Sequence, residues 1–116
     1  MPFLTIETSA STVPDWFIPD TCKLLADLLS KPIDAVVVIC HPNTMMGTHA
    51  TDAANPIVFM ELASIVNFQD RDFNQKVAAS LTNHVHAKLG IDKTAIRMVF
   101  RALEAKHVAV AGALRG

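Results

Sequence analysis

The sequence lacks the features that would place it in a membrane, in the secretory pathway or on nucleic acid. No apolar run approaches the roughly 20 residues that a membrane-spanning helix needs, and the amino terminus has neither the basic segment nor the apolar stretch of a signal peptide. The 10 Lys and Arg residues nearly balance the 11 Asp and Glu residues, and no basic block is present. We therefore expect no membrane span, no nucleic-acid partner, and synthesis in the cytoplasm with any secretion by a non-classical route.

Cysteine and metal-ligand patterns are also scarce. The two cysteines, Cys22 and Cys40, form no CxxC pair and have no histidine at ligand spacing. Reduced thiols in apolar surroundings are favoured over a disulfide. His84 and His86 are two residues apart in a predicted helix, so they point to different faces and are expected at the helix surface. We expect no metal site and no cofactor.

What the sequence has in excess is apolar character. Hydrophobic residues make up 51% of the 116 residues, and mean hydropathy is +0.32. This length predicts one domain, residues 1–116. Since a small soluble monomer has a large surface to keep wet, the apolar excess predicts a buried interface between subunits.

The first half of the chain has the pattern of a strand, a helix and a strand. Residues 3–8 alternate large and polar side chains, as in a half-buried strand. A helix is predicted to open at Pro14-Asp15 and to end before Lys31-Pro32, with Pro19 tolerated in its first turn. Residues 35–40 form a β-branched run without alternation, which predicts a central strand covered on both faces. A loop is predicted for residues 41–55. The apolar stripe of the helix comprises Trp16, Phe17, Cys22, Leu24, Leu25, Leu28 and Leu29.

The second half repeats this order. A long apolar strand is predicted for residues 56–66, and a turn at residues 67–70 contains Asp70 as a candidate helix cap. The helix at 71–89 carries apolar residues four apart and stops at Gly90. A strand at 96–101 and a short edge strand at 107–111 follow. Two βαβ halves predict an α+β fold with a four-stranded sheet and two helices on one face. The other sheet face is apolar too, so it needs a partner chain.

The second residue offers a reactive group of a special kind. Pro2 follows Met1 directly and leads into the first predicted strand. If Met1 is removed, Pro2 becomes a secondary amine that can act as a base. Behind a retained Met1 its nitrogen is an amide with no usable lone pair, and a proline at this position can also reflect nothing more than Met1 processing.

Six short motifs give the chain a recognisable identity. They are Met1-Pro2-Phe3-Leu4, Val13-Pro14-Asp15, Lys31-Pro32, Asn55-Pro56, Ser64-Ile65 and His107-Val108. With this order and spacing along nearly the whole chain, the sequence resembles the macrophage migration inhibitory factor and D-dopachrome tautomerase family. The resemblance implies the tautomerase fold, in which a four-stranded mixed sheet with two helices assembles into a homotrimer around a central barrel.

The resemblance also implies an activity and its residues. In this family the amino-terminal proline is the general acid/base that interconverts the keto and enol forms of α-keto acids, which implies that role for Pro2. Lys31 matches the lysine that holds the substrate carboxylate and, as a cation, lowers the pKa of the amine. It could also be an ordinary lysine at a helix C-terminus. Ser64 and Ile65 match the segment whose backbone lines the pocket.

The sequence departs from the family pattern at the rim of the implied pocket. It has no tyrosine, and Arg97 and Val99 stand where the vertebrate cytokine offers a tyrosine and an asparagine to a neighbouring subunit. Arg97 could clamp a substrate carboxylate or pair with Glu61, and for Arg101 the ion pair with Glu61 is favoured.

The sequence also departs from the family pattern near its C-terminal end and in the third strand. The closing stretch, residues 108–112, lacks the family's aromatic residue and asparagine. His107 lies where some relatives place a residue at the pocket edge, and Ile57-Val58-Phe59-Met60 replaces the CxxC of others. The replacement argues against a thiol oxidoreductase.

Two functional hypotheses follow. The first is a cofactor-independent tautomerase of phenylpyruvate-like or dopachrome-like substrates, with cytokine-like activity as an additional property. The second is a catalytically weak or inactive trimer that acts as a binding or signalling protein, with a protein receptor as a further partner. Dehalogenase or decarboxylase chemistry by the same proline ranks last, because the chain matches the cytokine-length branch.

Overall fold

The computed structural model describes residues 1–50, 54–65 and 68–116. Its main elements follow the predicted order, and three single turns of 3₁₀-helix precede β2, β4 and β5. The strands and helices are β1 (Phe3–Thr8), α1 (Phe17–Leu29), β2 (Val37–His41), β3 (Val58–Ser64), α2 (Arg71–Leu89), β4 (Ile96–Ala102), β5 (Ala109–Val110) and β6 (Ala113–Leu114). The 3₁₀ turns are Ile33–Ala35, Lys93–Ala95 and Ala105–His107.

The first four strands form one mixed sheet in the order β2-β1-β3-β4. β1 is parallel to β2 and antiparallel to β3, and β3 is parallel to β4. Phe3 lies between Val37 of β2 and Ala63 of β3, and Ala63 lies beside Arg101 of β4. The starts of β1 and β2 therefore share one end of the sheet with the ends of β3 and β4.

One face of the sheet packs against both helices, as predicted. The alternation in β1 and β3 sends every second side chain into this layer, where the side chains are fully buried or nearly so. The helices contribute apolar residues three and four apart. This core includes Leu4, Ile6, Val58, Met60 and Leu62 of the sheet with Phe17, Leu25, Val77, Leu81 and Val85 of the helices. The α+β arrangement of a four-stranded sheet with two helices on one face is confirmed.

The ends of α2 lie where the sequence predicts them. The Asp70 carboxylate accepts hydrogen bonds from the backbone N–H groups of Asp72 and Phe73, which have no partner within the helix. Gly90 ends the helix with a φ of 68°, a left-handed conformation that glycine adopts without strain. Sequence signals at both ends were therefore sufficient to place this helix.

The prediction for β2 was wrong. Residues 35–40 were expected to form a central strand covered on both faces, but β2 pairs with β1 alone and is an edge strand of the single chain. Val37 and Ile39 are each 39% exposed on the face without helices. The run lacks alternation because both of its faces are apolar, although this chain covers only one of them.

Several predicted boundaries shift by a few residues. α1 begins at Phe17 rather than at Pro14-Asp15 and leaves Trp16 47% exposed. His41 ends β2 instead of opening the loop, and β3 covers residues 58–64 of the predicted 56–66. Residues 51–53 of the predicted loop, Val66 of the predicted strand and Asn67 of the predicted turn lie outside the described residues.

The predicted edge strand at 107–111 is only partly correct. Ala109–Val110 pairs with Ala113–Leu114 in a separate hairpin, whereas His107 belongs to the preceding 3₁₀ turn. Within the described ranges, neither helix is long and apolar enough to cross a membrane.

His84 lies between the helices and not at the helix surface, which corrects the prediction. The Thr21 hydroxyl donates its proton to the Phe17 carbonyl at 2.7 Å, so its oxygen accepts a hydrogen bond from His84 Nε2 at 3.0 Å. The imidazole also stacks on the Phe17 ring, with 5.5 Å between the centroids. Burial, more than the nearby Lys88, lowers the pKa of His84, and Asp20 acts in the opposite direction.

Both cysteines are free, half-buried thiols. Burial raises the pKa of Cys22 and of Cys40, because a thiolate loses solvation in apolar surroundings. Neither has the environment of a reactive cysteine.

Candidate functional site

Pro2 lies at the end of the sheet where β1 and β2 begin. It is buried, and its carbonyl accepts a hydrogen bond from the Val37 backbone N–H at 3.0 Å. Since Phe3 pairs with Ala63 in the antiparallel ladder, one further step in register places Pro2 opposite Ser64. Ser64 is fully buried, and its carbonyl accepts a hydrogen bond from the Leu103 N–H at 2.6 Å. Main-chain hydrogen bonds thus fix both chain segments at this sheet end.

The chain-terminal amine at this end has an unusual environment. In the structure the amine belongs to Met1, and the Pro2 nitrogen is an amide. Burial lowers the pKa of the Met1 amine from its ordinary value, and the positive charges of Lys31 and Arg115 lower it further. All three effects disfavour the protonated amine. The site therefore favours a neutral amine, which is the form that can accept a proton.

The way in which α1 ends positions Lys31. Ser30 takes a left-handed conformation with φ of 53°, and the Lys31 N–H returns to the Ala26 carbonyl at 3.0 Å. This six-to-one bond is the Schellman termination of a helix. It turns the chain toward the start of β1, and Lys31 remains exposed there with its charge in solvent.

A cavity of about 300 Å³ opens beside Pro2 on the sheet face without helices. Pro2 itself does not line it, but the next residue, Phe3, does. His107 lies on its rim, and Arg101 donates two hydrogen bonds to one oxygen of Glu61, at 3.0 and 3.2 Å. The lining residues are Phe3, Thr5, Glu61, Ala63, Arg101, Leu103, His107, Val108 and Ala109. The cavity therefore combines apolar walls with one internally neutralised charge pair.

Comparison with known proteins identifies this architecture. A family model described as macrophage migration inhibitory factor (MIF) matches residues 1–116, the whole of the chain. The chain belongs to the macrophage migration inhibitory factor family. The resemblance inferred from the six sequence motifs is confirmed, and the fold is the MIF-like tautomerase fold.

Individual relatives agree with this assignment. The chain is 33% identical over 110 residues to a macrophage migration inhibitory factor homolog of Trichinella spiralis, which covers 93% of this chain and 94% of the relative. The solved structure of the factor from Trichinella spiralis superposes with a TM-score of 0.87 at 28% identity, covering 97% of this chain and 98% of that one. A homologue from Prochlorococcus marinus has a TM-score of 0.88 at 24% identity, covering 98% and 99%, and this likeness concerns the fold.

The MIF fold brings some of the predicted site residues together. Pro2, Lys31 and Ser64 lie at one end of the sheet, and Ile65 follows Ser64 as a half-buried residue. His107 lies on the rim of the cavity beside them. These positions agree with a single site but do not by themselves assign roles.

Arg97 lies away from the other predicted site residues in the structure. It is four residues before Arg101 in β4, about 13 Å along the strand, and faces a second cavity of about 270 Å³ with Ile57 and Thr94. It does not pair with Glu61, which binds Arg101 as the favoured interpretation predicted. Within this chain, Arg97 and Pro2 are at opposite ends of the sheet.

Sequence reasoning missed Arg115. The structure places its charge near the terminal amine, yet the residue is separated from Pro2 by almost the whole chain. The signal available in the sequence was a single charged residue in an otherwise small and apolar tail, residues 108–116. That signal indicates an unusual position but not the place to which the tail returns.

Proposed function

We propose that this protein is a cofactor-independent keto–enol tautomerase of phenylpyruvate-like or dopachrome-like substrates, with Pro2 as the general acid/base once Met1 has been removed. The observation that carries the proposal is the lowered pKa of the chain-terminal amine at the sheet end that Lys31 borders. A base is most effective when its pKa lies near the working pH. Membership of the MIF family supports the same reaction class.

The proposed reaction moves a proton from carbon to oxygen and shifts two electron pairs. The Pro2 nitrogen takes a proton from the carbon next to the substrate carbonyl. The electrons of that C–H bond form the C=C bond, the carbonyl oxygen takes up the displaced pair, and a proton then adds to this oxygen to give the enol. The reverse sequence returns the ketone, so no oxidant, metal or cofactor is consumed.

The environment of the Met1 amine supports a lowered pKa for the Pro2 amine that removal of Met1 would leave at nearly the same position. Consecutive Cα atoms are about 3.8 Å apart, so removing Met1 moves the amine by one residue and keeps it near Lys31. Pro2 is buried whereas Met1 is half-buried. Desolvation, already the largest cause of the lowered pKa, should therefore act at least as strongly on the Pro2 amine.

The remaining predicted residues take positioning roles in this proposal. Lys31 holds the substrate carboxylate, the backbone at Ser64 and Ile65 forms the pocket wall, and His107 borders the pocket edge. Arg97 assists from an adjacent subunit of a homotrimer, because its own chain places it away from Pro2. Val37 and Ile39, each 39% exposed, support such an assembly, since the open sheet face leaves apolar side chains in solvent.

The direct test is turnover of phenylpyruvate by matched proline variants. Pro2→Gly should lose most of the keto–enol tautomerisation, because glycine supplies a primary amine of different basicity and geometry. Pro42→Gly changes an exposed proline after β2 and should keep it. Equal turnover in the wild type and Pro2→Gly would reject the proposal.

One observation favours a second candidate, a trimer that binds partners with little or no catalysis. The cavity on the open sheet face is lined by Phe3 and not by Pro2. A receptor-binding protein of this kind would work outside the cytoplasm after non-classical release. A millimolar α-keto acid should raise the melting temperature if the site binds substrate, since a ligand of the folded state stabilises it. No shift in an intact trimer would support the second candidate.

A further inference from the structure

Two cations act on the chain-terminal amine, and they come from distant parts of the sequence. Lys31 follows α1, whereas Arg115 is the second-last residue, and both lower the pKa of the amine after burial has done so. Lys31 has a role in the proposed reaction. Arg115 has no role in the reaction as described above. A second positive charge close to the first is unfavourable, because cations repel one another, so its presence calls for an explanation.

The C-terminal hairpin holds Arg115 at this place. Ala111 and Gly112 form the turn with φ of 53° and 81°, the pair of positive values of a tight type I′ hairpin. Directly after β6, the Arg115 N–H donates a hydrogen bond to the Val108 carbonyl at 2.8 Å. Val108 is 6% exposed and shares the cavity wall with Phe3, the residue after Pro2.

The last residue confines the tail further. A Cβ atom built on Gly116 would lie 2.7 Å from the Cβ atom of Ala105, which is too close for a side chain to fit without movement. The chain end therefore packs against the 3₁₀ turn that contains His107. The Arg115–Val108 hydrogen bond and the packing of Gly116 hold the backbone of Arg115 beside the cavity wall that contains Val108 and Phe3.

Arg115 also forms no ion pair with any carboxylate among the described residues. In the part of the chain that the structure describes, the ion pairs within 4.0 Å are Glu7–His41, Glu61–Arg101 and Glu104–Lys106. Arg101 contrasts with Arg115, because Glu61 occupies two of its donors. Among the described residues, the Arg115 guanidinium has no ion-pair partner and keeps its planar set of N–H donors available for an anion.

We propose that Arg115 is a catalytic residue that stabilises the negative charge developing on the substrate carbonyl oxygen during enolisation, while Lys31 holds the carboxylate. The inference rests on the proposed tautomerase function and deepens it. An α-keto acid enters with one negative charge, and loss of the proton to Pro2 places a second on the carbonyl oxygen. Two cations match these two anionic groups, and a donor aimed at developing charge accelerates the chemical step.

The test compares three variants by steady-state kinetics on phenylpyruvate. Arg115→Gln removes the charge, Arg115→Lys keeps it, and Arg71→Gln removes an equivalent exposed charge at the start of α2. We expect Arg115→Gln to lower kcat about 10- to 100-fold with KM within about threefold, a loss below that of buried donors because the side chain is exposed. Arg115→Lys should recover part of kcat, and Arg71→Gln should match the wild type.

The pH profile supplies a readout that a merely structural role would not change. A cation lowers the pKa of a nearby amine, so Arg115→Gln should raise it and move the acidic limb of kcat/KM to higher pH. Arg115→Lys should leave the limb in place. An unchanged kcat and limb in Arg115→Gln, or a loss confined to KM, would overturn the role of Arg115.

This outcome is distinguishable from failure of the proposed function. If the wild type turns over and Pro2→Gly does not, the reaction and its base stand, and only Arg115 is in question. If the wild type equals Pro2→Gly, both the function and the role of Arg115 are rejected together.

Discussion

At the scale of single residues, the site depends on the protonation state of one amine. Burial, Lys31 and Arg115 all lower the pKa of the Met1 amine at this place, which favours the neutral form that can accept a proton. In the proposed mechanism, the basicity of the catalytic amine therefore depends on the charges around the chain start. Changing one of these charges should change the reaction in a way that depends on pH.

Lys31→Ala should reduce kcat/KM for phenylpyruvate by about tenfold or more, since the substrate carboxylate loses a charge-assisted partner. The amine should also become more basic without the cation, so the acidic limb of the profile should move to higher pH. Lys23→Ala is the matched control, because Lys23 is an exposed lysine of the preceding helix. Equal kinetics in the two variants would show that Lys31 is only a helix-terminal lysine.

Most residues of the proposed site were predicted from sequence. Pro2 was predicted because an amine at a chain start is chemically distinctive, and Lys31 and Ser64 were predicted because they stand in motifs that resemble those of the family. Arg115 was not, since its place depends on a hairpin that folds the tail back to the sheet. No local pattern in residues 108–116 encodes the position of that hairpin relative to Pro2.

At the scale of elements, the helices were easier to predict than the edge of the sheet. α2 was predicted with both of its ends because Asp70 and Gly90 are local signals. β2 was predicted as a central strand because its apolar run indicates that both faces are buried. The run does not indicate which segments bury them. Its edge position depends on pairings between distant segments, which local sequence does not specify.

The cap of α2 gives a stability prediction. Asp70→Ala removes the acceptor for the Asp72 and Phe73 N–H groups and should lower the free energy of unfolding by about 1 kcal/mol. Gln75→Ala, at an exposed position of the same helix, should change it little. Urea denaturation at fixed protein concentration measures both, and equal midpoints would contradict the capping role.

The contact between α1 and α2 should make stability depend on pH. The folded-state pKa of His84 is lowered from its ordinary value of 6.5, chiefly by burial and then by Lys88. The unfolded chain therefore takes up this proton at higher pH than the folded chain. Stability from this source is complete above about pH 6.5 and is lost as the pH falls toward the folded-state pKa.

His84→Gln should flatten this part of the pH–stability curve, whereas His49→Gln, in an exposed loop, should leave it unchanged. Melting temperatures between pH 4.5 and 7.5 would serve as the measurement. The same slope below pH 6.5 in His84→Gln and in the wild type would exclude His84 as its cause.

At the scale of the whole molecule, this chain leaves one face of the sheet uncovered. Val37, Ile39 and Val99 are exposed there, and burial of such side chains favours association. A homotrimer of the 12.6 kDa chain would have a mass of about 38 kDa. Both the proposed site and the proposed contribution of Arg97 depend on this assembly.

Ile39→Lys should lower the mass in solution toward that of one chain, because a charge would enter the expected interface. Ile18→Lys is matched, since both isoleucines are 39% exposed but Ile18 lies on α1. Analytical ultracentrifugation of both variants gives the comparison. An unchanged mass for Ile39→Lys would exclude β2 from the interface.

The central claim is that a free Pro2 amine performs the chemistry, and one measurement tests it most directly. Phenylpyruvate tautomerisation would be compared between protein whose mass confirms removal of Met1 and protein that carries an uncleaved extension ahead of Met1. We predict turnover in the processed protein and almost none in the extended one, in which the Pro2 nitrogen is an amide. Equal turnover in both samples would contradict the claim, and inactivity of a processed trimer would favour the binding protein.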